Sequence, residues 1–238
     1  MNEIWDRVLN AIHGGRVLDV ATGNGGFART LAAGLADYDE IVGVDAGEAA
    51  IAAREETEQG DVRFLQMDVG RLDFADDSFD TVAMSAALHH LAEIPAVMAE
   101  VKRVLRPGGC LILAEMHSDG ETEAQVTFIR LHHWVAAVDR ALGIEHYATL
   151  PREKMVAHAE GLGLSELACH DLMDAASDPM EAGRIAALED LIDRTLERAA
   201  GAPERAELVR QGEILRQRLR RVGAQSEPVL LLTGRLAV

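Results

Sequence analysis

The sequence predicts an α/β fold in which a parallel sheet is covered by helices on both faces. Between Arg16 and Met116, five short apolar segments alternate with segments of helical character. The first apolar segment runs directly into three glycines, and a helical pattern follows at once. Short apolar strands that alternate with helices are typical of parallel sheets whose two faces are buried.

The elements of this half follow one another in regular order. An amphipathic helix is predicted first, in MNEIWDRVLNAIH. The five strands are predicted in RVLDVAT, EIVGVDA, VRFLQMD, FDTVAMSAAL and CLILAEM. The helices between them are predicted in GFARTLAAGLA, EAAIAAREETEQ and IPAVMAEVKRVL, and a PGG turn leads into the fifth strand.

In the second half of the chain, predicted strands and helices no longer alternate regularly. This change indicates one domain, residues 1–238, that carries helical insertions. A cap segment, residues 117–150, holds a predicted helix from Glu121 to Gly143, and a shorter helix follows from Pro151 to Leu162. Residues 179–223 predict a helical hairpin with its turn at GAP. The runs SELACHDLM and EPVLLLTGRLAV, before and after this hairpin, are strand-like.

The hairpin lies where two strands need only a short turn. Each arm has one apolar face, and two such faces cover each other only in part. We therefore expect the uncovered part of these apolar faces to pack on the sheet or on a second copy of the chain. The two hypotheses are a homodimer contact, which is slightly favoured, and a roof over a substrate pocket.

Composition excludes several classes of function. The 238 residues carry a net charge of −17, which argues against a nucleic-acid partner, and the basic run RQRLRR is interpreted as a solvated helix face. No apolar stretch approaches the roughly 20 residues of a membrane span. Cys110 and Cys169 lie far apart in strand-like runs, which favours buried, reduced thiols and a cytoplasmic location.

The glycine-rich turn predicts a site for an adenosine-bearing cofactor. Residues 23–28, GNGGFA, satisfy G-x-G-x-x-[GA], with Gly23 and Gly25 able to let a ligand approach the backbone. Asp45 ends the second strand, where a carboxylate can accept hydrogen bonds from both ribose hydroxyls. These two features fit NAD and S-adenosylmethionine equally well.

Two further aspartates favour S-adenosylmethionine. Asp19 lies inside the first strand, just before the glycines, where an acidic group would repel a pyrophosphate but suit an amine and a sulfonium. Asp68 ends the third strand and can accept a hydrogen bond from the adenine amine, with Met67 and Val69 as apolar cover.

Together with DDSFDTVAMSAALHHL and VLRPGGCLILAE, these motifs resemble the class I S-adenosylmethionine-dependent methyltransferases. The resemblance covers Val17 to Glu115 and is greatest to the small-molecule branch that includes the ubiquinone and menaquinone biosynthesis enzymes. It implies a Rossmann-like, seven-stranded, mostly parallel sheet whose last strand is antiparallel. The strand-like runs near Glu166 and Val229 would be strands six and seven.

The resemblance also assigns the binding residues for the cofactor S-adenosyl-L-methionine. It places Gly23 and Gly25 under the methionine part, Asp45 at the ribose, Asp68 at the adenine and Ser85 near the methyl group. The full set of expected cofactor-binding residues is Asp19, Ala21, Gly23, Gly25, Asp45, Ala46, Asp68, Val69 and Ser85. Ala21 stands where the family usually has glycine, although some quinone-pathway members also carry alanine.

Methyl transfer from a sulfonium is an in-line displacement, so a base is needed only when the acceptor must lose a proton. His89 and His90 follow the fourth strand and are the candidate catalytic residues. The alternative for His90 is a structural role in anchoring its loop. Trp134 and Tyr147 could help to place the cation, although structural roles are favoured for both.

Three alternatives to a methyltransferase remain open at this point. They are a non-catalytic protein that binds or senses S-adenosylmethionine, an enzyme with another reaction on the same cofactor, and an NAD-dependent oxidoreductase. The expected partner is a small-molecule methyl acceptor. A metal site from His117, His132 and His146 is considered, but their spacing lacks an i, i+4 pair, so no metal is predicted. His133 is expected to be exposed.

Overall fold

The structure is a computed structural model that describes residues 3–47, 61–172 and 177–238. The helix predicted in EAAIAAREETEQ lies outside the described residues. The sheet has seven strands: β1 Arg16–Val20, β2 Glu40–Asp45, β3 Val62–Gln66, β4 Phe79–Ser85, β5 Leu105–Met116, β6 Leu164–Leu172 and β7 Val229–Leu236. Their order is β3-β2-β1-β4-β5-β7-β6. Only β7 is antiparallel, since it pairs in that sense with both β5 and β6, so the predicted sheet is confirmed.

Seven α-helices are described. They are α1 Glu3–Leu9, α2 Gly26–Gly34, α3 Ile94–Val104, α4 Glu123–Ala141, α5 Arg152–Glu160, α6 Ala182–Ala199 and α7 Arg205–Val222. A 3₁₀ turn covers Leu88–His90. The start of α4 is fixed by a capping box, in which Thr122 and Gln125 each accept a hydrogen bond from the other's backbone amide at 3.1 Å.

Side chains alternate between the two faces of the sheet, and each face is buried under helices. On one face, Leu18, Val42 and Val82 pack with Val97 and Val101 of α3 and Met155 of α5. On the other face, Val17, Ile41 and Ala83 pack with Leu9 of α1 and with Ala28 and Leu31 of α2. This double cover is the reason the strands read as continuous apolar runs rather than alternating ones.

The strand order reverses direction between β1 and β4. Chain connections lead away to opposite sides at this point, so the loops after the two strands separate and leave a crevice. The loop after β1 is the glycine-rich turn, and the loop after β4 carries His89 and His90. The topology therefore brings the cofactor loop and the candidate catalytic residues to one edge of the sheet.

The helical hairpin packs on the cap helix α4, a partner that the sequence did not indicate, while the homodimer contact and the roof over a substrate pocket stay predictions. Together α4, α6 and α7 bury a separate apolar cluster that includes Leu131, Trp134, Ile192, Leu215 and Leu219. The reason is that α4 has an apolar stripe of its own, which the hairpin arms cover. Leu172 and Val229 are paired across β6 and β7, so the hairpin does extend from a place where a short turn would suffice.

Two smaller expectations also change. Cys110 is buried as predicted, but Cys169 is only half-buried in β6, which lies at the edge of the sheet. The PGG segment is part of β5 rather than a turn before it, because pairing with β4 begins at Leu105. None of the described helices is both long enough and apolar enough to cross a membrane.

Candidate functional site

The glycine-rich loop turns sharply because three of its residues have left-handed backbone conformations. The φ angles are 57° at Ala21, 53° at Gly23 and 77° at Gly25. A Cβ at Gly23 would meet nothing within 4 Å, whereas one at Gly25 would lie 2.5 Å from the ring of Phe64. Gly23 therefore faces open space that a ligand can enter, and Gly25 is required by the packing of Phe64 from β3.

Asp45 connects the end of β2 to this loop. Its carboxylate accepts hydrogen bonds from the amide of Gly23 at 2.9 Å and from the amide of Gly47 at 2.8 Å. A carboxylate has about four acceptor positions, and the described residues occupy two of them. The next residue, Ala46, is exposed and accepts a hydrogen bond from Gln66 at 3.0 Å through its carbonyl.

Asp19 is buried beneath the loop, with 1% of its surface exposed. Thr22 donates a hydrogen bond to its Oδ2 at 2.5 Å, while Oδ1 is buried without a hydrogen-bond partner among the described residues. Burial raises the pKa of this carboxyl to about 7, although the Thr22 hydroxyl opposes the shift. A cationic group brought by a ligand would favour the ionised form.

Asp68 and Val69 lie where β3 ends. The exposed Asp68 accepts a hydrogen bond from the amide of Gly70 at 2.8 Å, which leaves its second oxygen available. Both residues line a cavity of about 170 Å³ whose other walls include Leu91, Val97 and Glu145. Apolar walls with a carboxylate at one edge can hold a flat base that carries an amine donor.

Ser85 ends β4 and is half-buried beside this crevice. The following residue, Ala86, has a φ of 48°, and its amide donates to the carbonyl of Ala114 at 3.0 Å. This turn directs the chain out of the sheet and into the 3₁₀ turn with the two histidines.

Glu115, in β5, holds the histidine turn in place and was not identified from the sequence. Its buried carboxylate accepts hydrogen bonds at 2.7 Å from the amides of Ala87 and Leu88 and at 3.1 Å from that of Met116. The available signal was a single acidic residue in an otherwise apolar strand, CLILAEM. A charge in that position needs several donors around it.

His89 and His90 point to different environments. His89 is buried and donates a hydrogen bond from Nδ1 to Glu115 at 3.1 Å. His90 is exposed and donates from Nδ1 to the carbonyl of Glu145 at 3.3 Å, which leaves Nε2 as an acceptor. Partial desolvation of the ring, followed by the neighbouring His89, lowers the pKa of His90.

The cap segment brings two more histidines to this place. His146 lies against His132, with their Nε2 atoms 3.0 Å apart, and both rings lie beside His89. His133 is half-buried rather than exposed, because its Nε2 contacts the hydroxyl of Thr149 at 2.9 Å. His117 lies near two other carboxylates. Its Nδ1 is 3.7 Å from Oδ2 of Asp119, and its Nε2 is 3.8 Å from Oδ1 of Asp171.

The two aromatic residues of the cap have structural contacts. Trp134 is buried in the cluster with the hairpin and donates to the carbonyl of Leu208 at 2.9 Å. The ring of Tyr147 lies under the guanidinium of Arg140 at 5.1 Å, and its amide donates to the carbonyl of His89 at 2.7 Å.

The sheet order, the glycine turn and the acidic residues on the first three strands are those that the resemblance to class I S-adenosylmethionine-dependent methyltransferases implies. Residues 18–113 match the sequence model of the family described as "Methyltransferase domain". This match confirms the resemblance drawn from the motifs for that part of the chain.

The similar proteins point to one branch of this class. The chain is 38% identical over 120 residues to a demethylmenaquinone methyltransferase of Beutenbergia cavernae, which is 48% of each chain. It is 30% identical over 124 residues, again 48% of each chain, to the ubiquinone/menaquinone biosynthesis C-methyltransferase UbiE of Stutzerimonas stutzeri. The chain thus spans about half the length of the curated relatives it matches.

A solved structure shows that the fold extends further than the sequence match. A candidate methyltransferase of Bacillus halodurans C-125 superposes with a TM-score of 0.63 at 20% identity, covering 98% of this chain and 97% of that one. The cap segment and the hairpin lie after residue 113, outside the family match.

Proposed function

We propose that this protein transfers a methyl group from S-adenosylmethionine to a small-molecule acceptor. The observation that carries the proposal is the bridge from Asp45, at the end of β2, to the amide of Gly23 in the loop after β1, which borders the point where the strand order reverses. It holds a carboxylate beside a backbone that is open to a ligand.

Three carboxylates would divide the cofactor between them. Asp45 would accept from the ribose hydroxyls, and Asp68 would accept from the adenine amine at the cavity lined by Val69. Asp19 offers a buried, unpaired oxygen below the loop, which fits a ligand with a cationic end. S-adenosylmethionine has that charge distribution, whereas the pyrophosphate of NAD would be repelled.

The bound cofactor supplies an activated methyl group, so the task of the protein is alignment and exclusion of water. Good alignment of two reactants can contribute about 7–11 kcal/mol to lowering a barrier. Ser85 and the turn held by Glu115 would line the side from which an acceptor approaches. His90 is the better placed of the two candidate bases, because its Nε2 is free and its lowered pKa keeps it neutral near pH 7.

The names of the relatives suggest a first class of acceptors to test. One is named a demethylmenaquinone methyltransferase and the other a ubiquinone/menaquinone biosynthesis C-methyltransferase, so hydroxylated aromatic rings of the quinol type belong in the first panel. The cap and the hairpin, which would shape the acceptor pocket, lie outside the family match, so the acceptor must be found by assay. The single-domain organisation, the cytoplasmic location and the homodimer stay predictions.

Turnover tests the proposal. Purified protein is incubated with isotopically methyl-labelled S-adenosylmethionine and a panel of quinols, phenols and amines, and label transfer is followed by mass spectrometry. We expect transfer to at least one member together with formation of S-adenosylhomocysteine. A protein that binds the cofactor but transfers no label to any of a broad metabolite panel would instead be a binding or sensing protein.

A further inference from the structure

Three histidines from three separate segments converge next to the proposed methyl-transfer site. His89 comes from the turn after β4, His132 from the cap helix α4, and His146 from the loop after that helix. Each offers one ring nitrogen, and these three atoms all lie within 4.8 Å of one another. We propose that this triad binds a divalent transition-metal ion such as Zn²⁺.

The separations suit such an ion. The Nε2 atoms of His132 and His146 are 3.0 Å apart. Zinc–nitrogen bonds of about 2.0–2.1 Å in a tetrahedron place two ligand nitrogens roughly 3.3 Å from each other. The widest separation in the triad is no more than 4.8 Å, so it must shorten by up to about 1.5 Å, through side-chain rotation, for all three nitrogens to bind one ion.

Two of the three rings are already oriented as metal-binding histidines usually are. His89 donates from Nδ1 to Glu115 at 3.1 Å, and His146 donates from Nδ1 to Asp139 at 2.7 Å. Asp139 is itself held by an ion pair with Arg198. A carboxylate on Nδ1 fixes the tautomer that leaves the Nε2 lone pair available to a metal.

The third ring, that of His132, is incompletely bonded. Its Nδ1 is buried with no hydrogen-bond partner among the described residues. Without an ion, Nε2 of His132 donates to Nε2 of His146, and the buried Nδ1 of His132 is left as an unpaired acceptor, which costs free energy.

Neighbouring histidines have other partners and serve as controls. Nδ1 of His90 is used by the carbonyl of Glu145, and Nε2 of His133 contacts Thr149. His133 adjoins His132 on the same helix, so it is a matched control for a change in that helix.

The position of the triad gives it a use in the reaction. Three protein ligands leave a coordination position for water or substrate, as in catalytic zinc sites. The open position would bind a hydroxyl oxygen of the acceptor and lower the pKa of that hydroxyl. The hydroxyl proton passes to a neighbouring base or to water, the bond between the acceptor atom and the methyl group forms as the sulfur–methyl bond breaks, and the sulfur keeps the electron pair. This role rests on the proposed function, whereas metal binding itself does not.

Metal binding is tested with Co²⁺ and Zn²⁺ on chelator-treated full-length protein that carries no histidine tag. We expect one Co²⁺ per chain with the visible absorption of a tetrahedral site, displaced by Zn²⁺. His132→Ala and His146→Ala should abolish this absorption, while His133→Ala and the exposed-surface variant His13→Ala should keep it. Asp139→Asn should weaken the affinity by about 10–100-fold.

Titration with S-adenosylhomocysteine on the same preparations separates the two proposals and reports on folding. His132→Gln is the second variant should the alanine change unfold the cap. Absence of Co²⁺ binding in a parent protein that binds S-adenosylhomocysteine would overturn the metal site alone. Equal Co²⁺ binding by the parent and by folded His132→Gln and His146→Ala variants would overturn it as well.

Discussion

Asp45, at the end of β2, accepts a hydrogen bond from the amide of Gly23 at 2.9 Å, and so one carboxylate both shapes the glycine-rich loop and faces the ligand. We predict that Asp45→Ala weakens binding of S-adenosylhomocysteine by about 2–4 kcal/mol, because two hydrogen bonds to a charged group are lost. Isothermal titration measures this change. Asp45→Asn keeps one acceptor oxygen and should therefore lose less affinity for S-adenosylhomocysteine. The control Asp39→Ala, at an exposed residue, should keep the affinity of the parent. Unchanged affinity in folded Asp45→Ala would remove the ribose assignment.

Asp19 should make the stability of the unliganded protein depend on pH. Its pKa is raised to about 7, so between about pH 4 and pH 7 the folded state holds a proton that the unfolded state has released. The contribution of this group to stability therefore falls as pH rises through that window. Near pH 8, the free energy of unfolding of Asp19→Asn should exceed that of the parent by about 4 kcal/mol at most, and near pH 4 the two should be equal. Denaturant unfolding at both pH values checks this, and a constant difference would contradict it.

His90 should affect rate rather than cofactor affinity. If it accepts the proton of the acceptor, His90→Ala lowers kcat by about 10²–10⁴-fold while binding of S-adenosylhomocysteine is unchanged. Because its pKa is lowered, the rate of the parent should already be on its plateau near neutral pH and fall only in acid. His13→Ala, far out on the surface, is the control. Normal turnover by the variant would mean that alignment alone carries the reaction.

Gly212 allows α7 to approach the cap helix. A Cβ at this position would collide with the ring of Trp134, so Gly212→Ala should push the hairpin away from α4 and cost about 1–3 kcal/mol of stability. We expect lower turnover with unchanged affinity for S-adenosylhomocysteine, since the cofactor loops lie elsewhere. Gly201→Ala, where a Cβ meets only ordinary contacts at 3.7 Å, is the matched control. Retained stability and turnover in Gly212→Ala would show that this packing is dispensable.

Local patterns were sufficient to predict the parallel strands of the first half, whereas the antiparallel last strand was implied by the family resemblance. Asp19, Gly23, Asp45 and Asp68 all follow or occupy strands whose apolar runs are easily read, and parallel strands bring their carboxyl ends to one edge. The position of Gly25 could not be interpreted in the same way. Its missing side chain makes room for Phe64, which lies 39 residues further along the chain.

Contacts between residues that lie far apart in the chain could not be predicted from the sequence. Glu115 and His89 are separated by 26 residues, and the burial of their hydrogen bond depends on how β4 and β5 pair. The histidine triad combines a turn, a helix and a loop, so it has no ligand spacing to detect. The hairpin was predicted correctly as an element, but its partner α4 was not, because amphipathic patterns do not say which apolar surface they cover.

The most direct test of the central claim is titration calorimetry of the unmodified protein with S-adenosylmethionine, S-adenosylhomocysteine and NAD. We expect both S-adenosyl compounds to bind at one shared site per chain, and we expect NAD not to compete with them. Binding of NAD at this site, with no binding of S-adenosylhomocysteine, would contradict that claim.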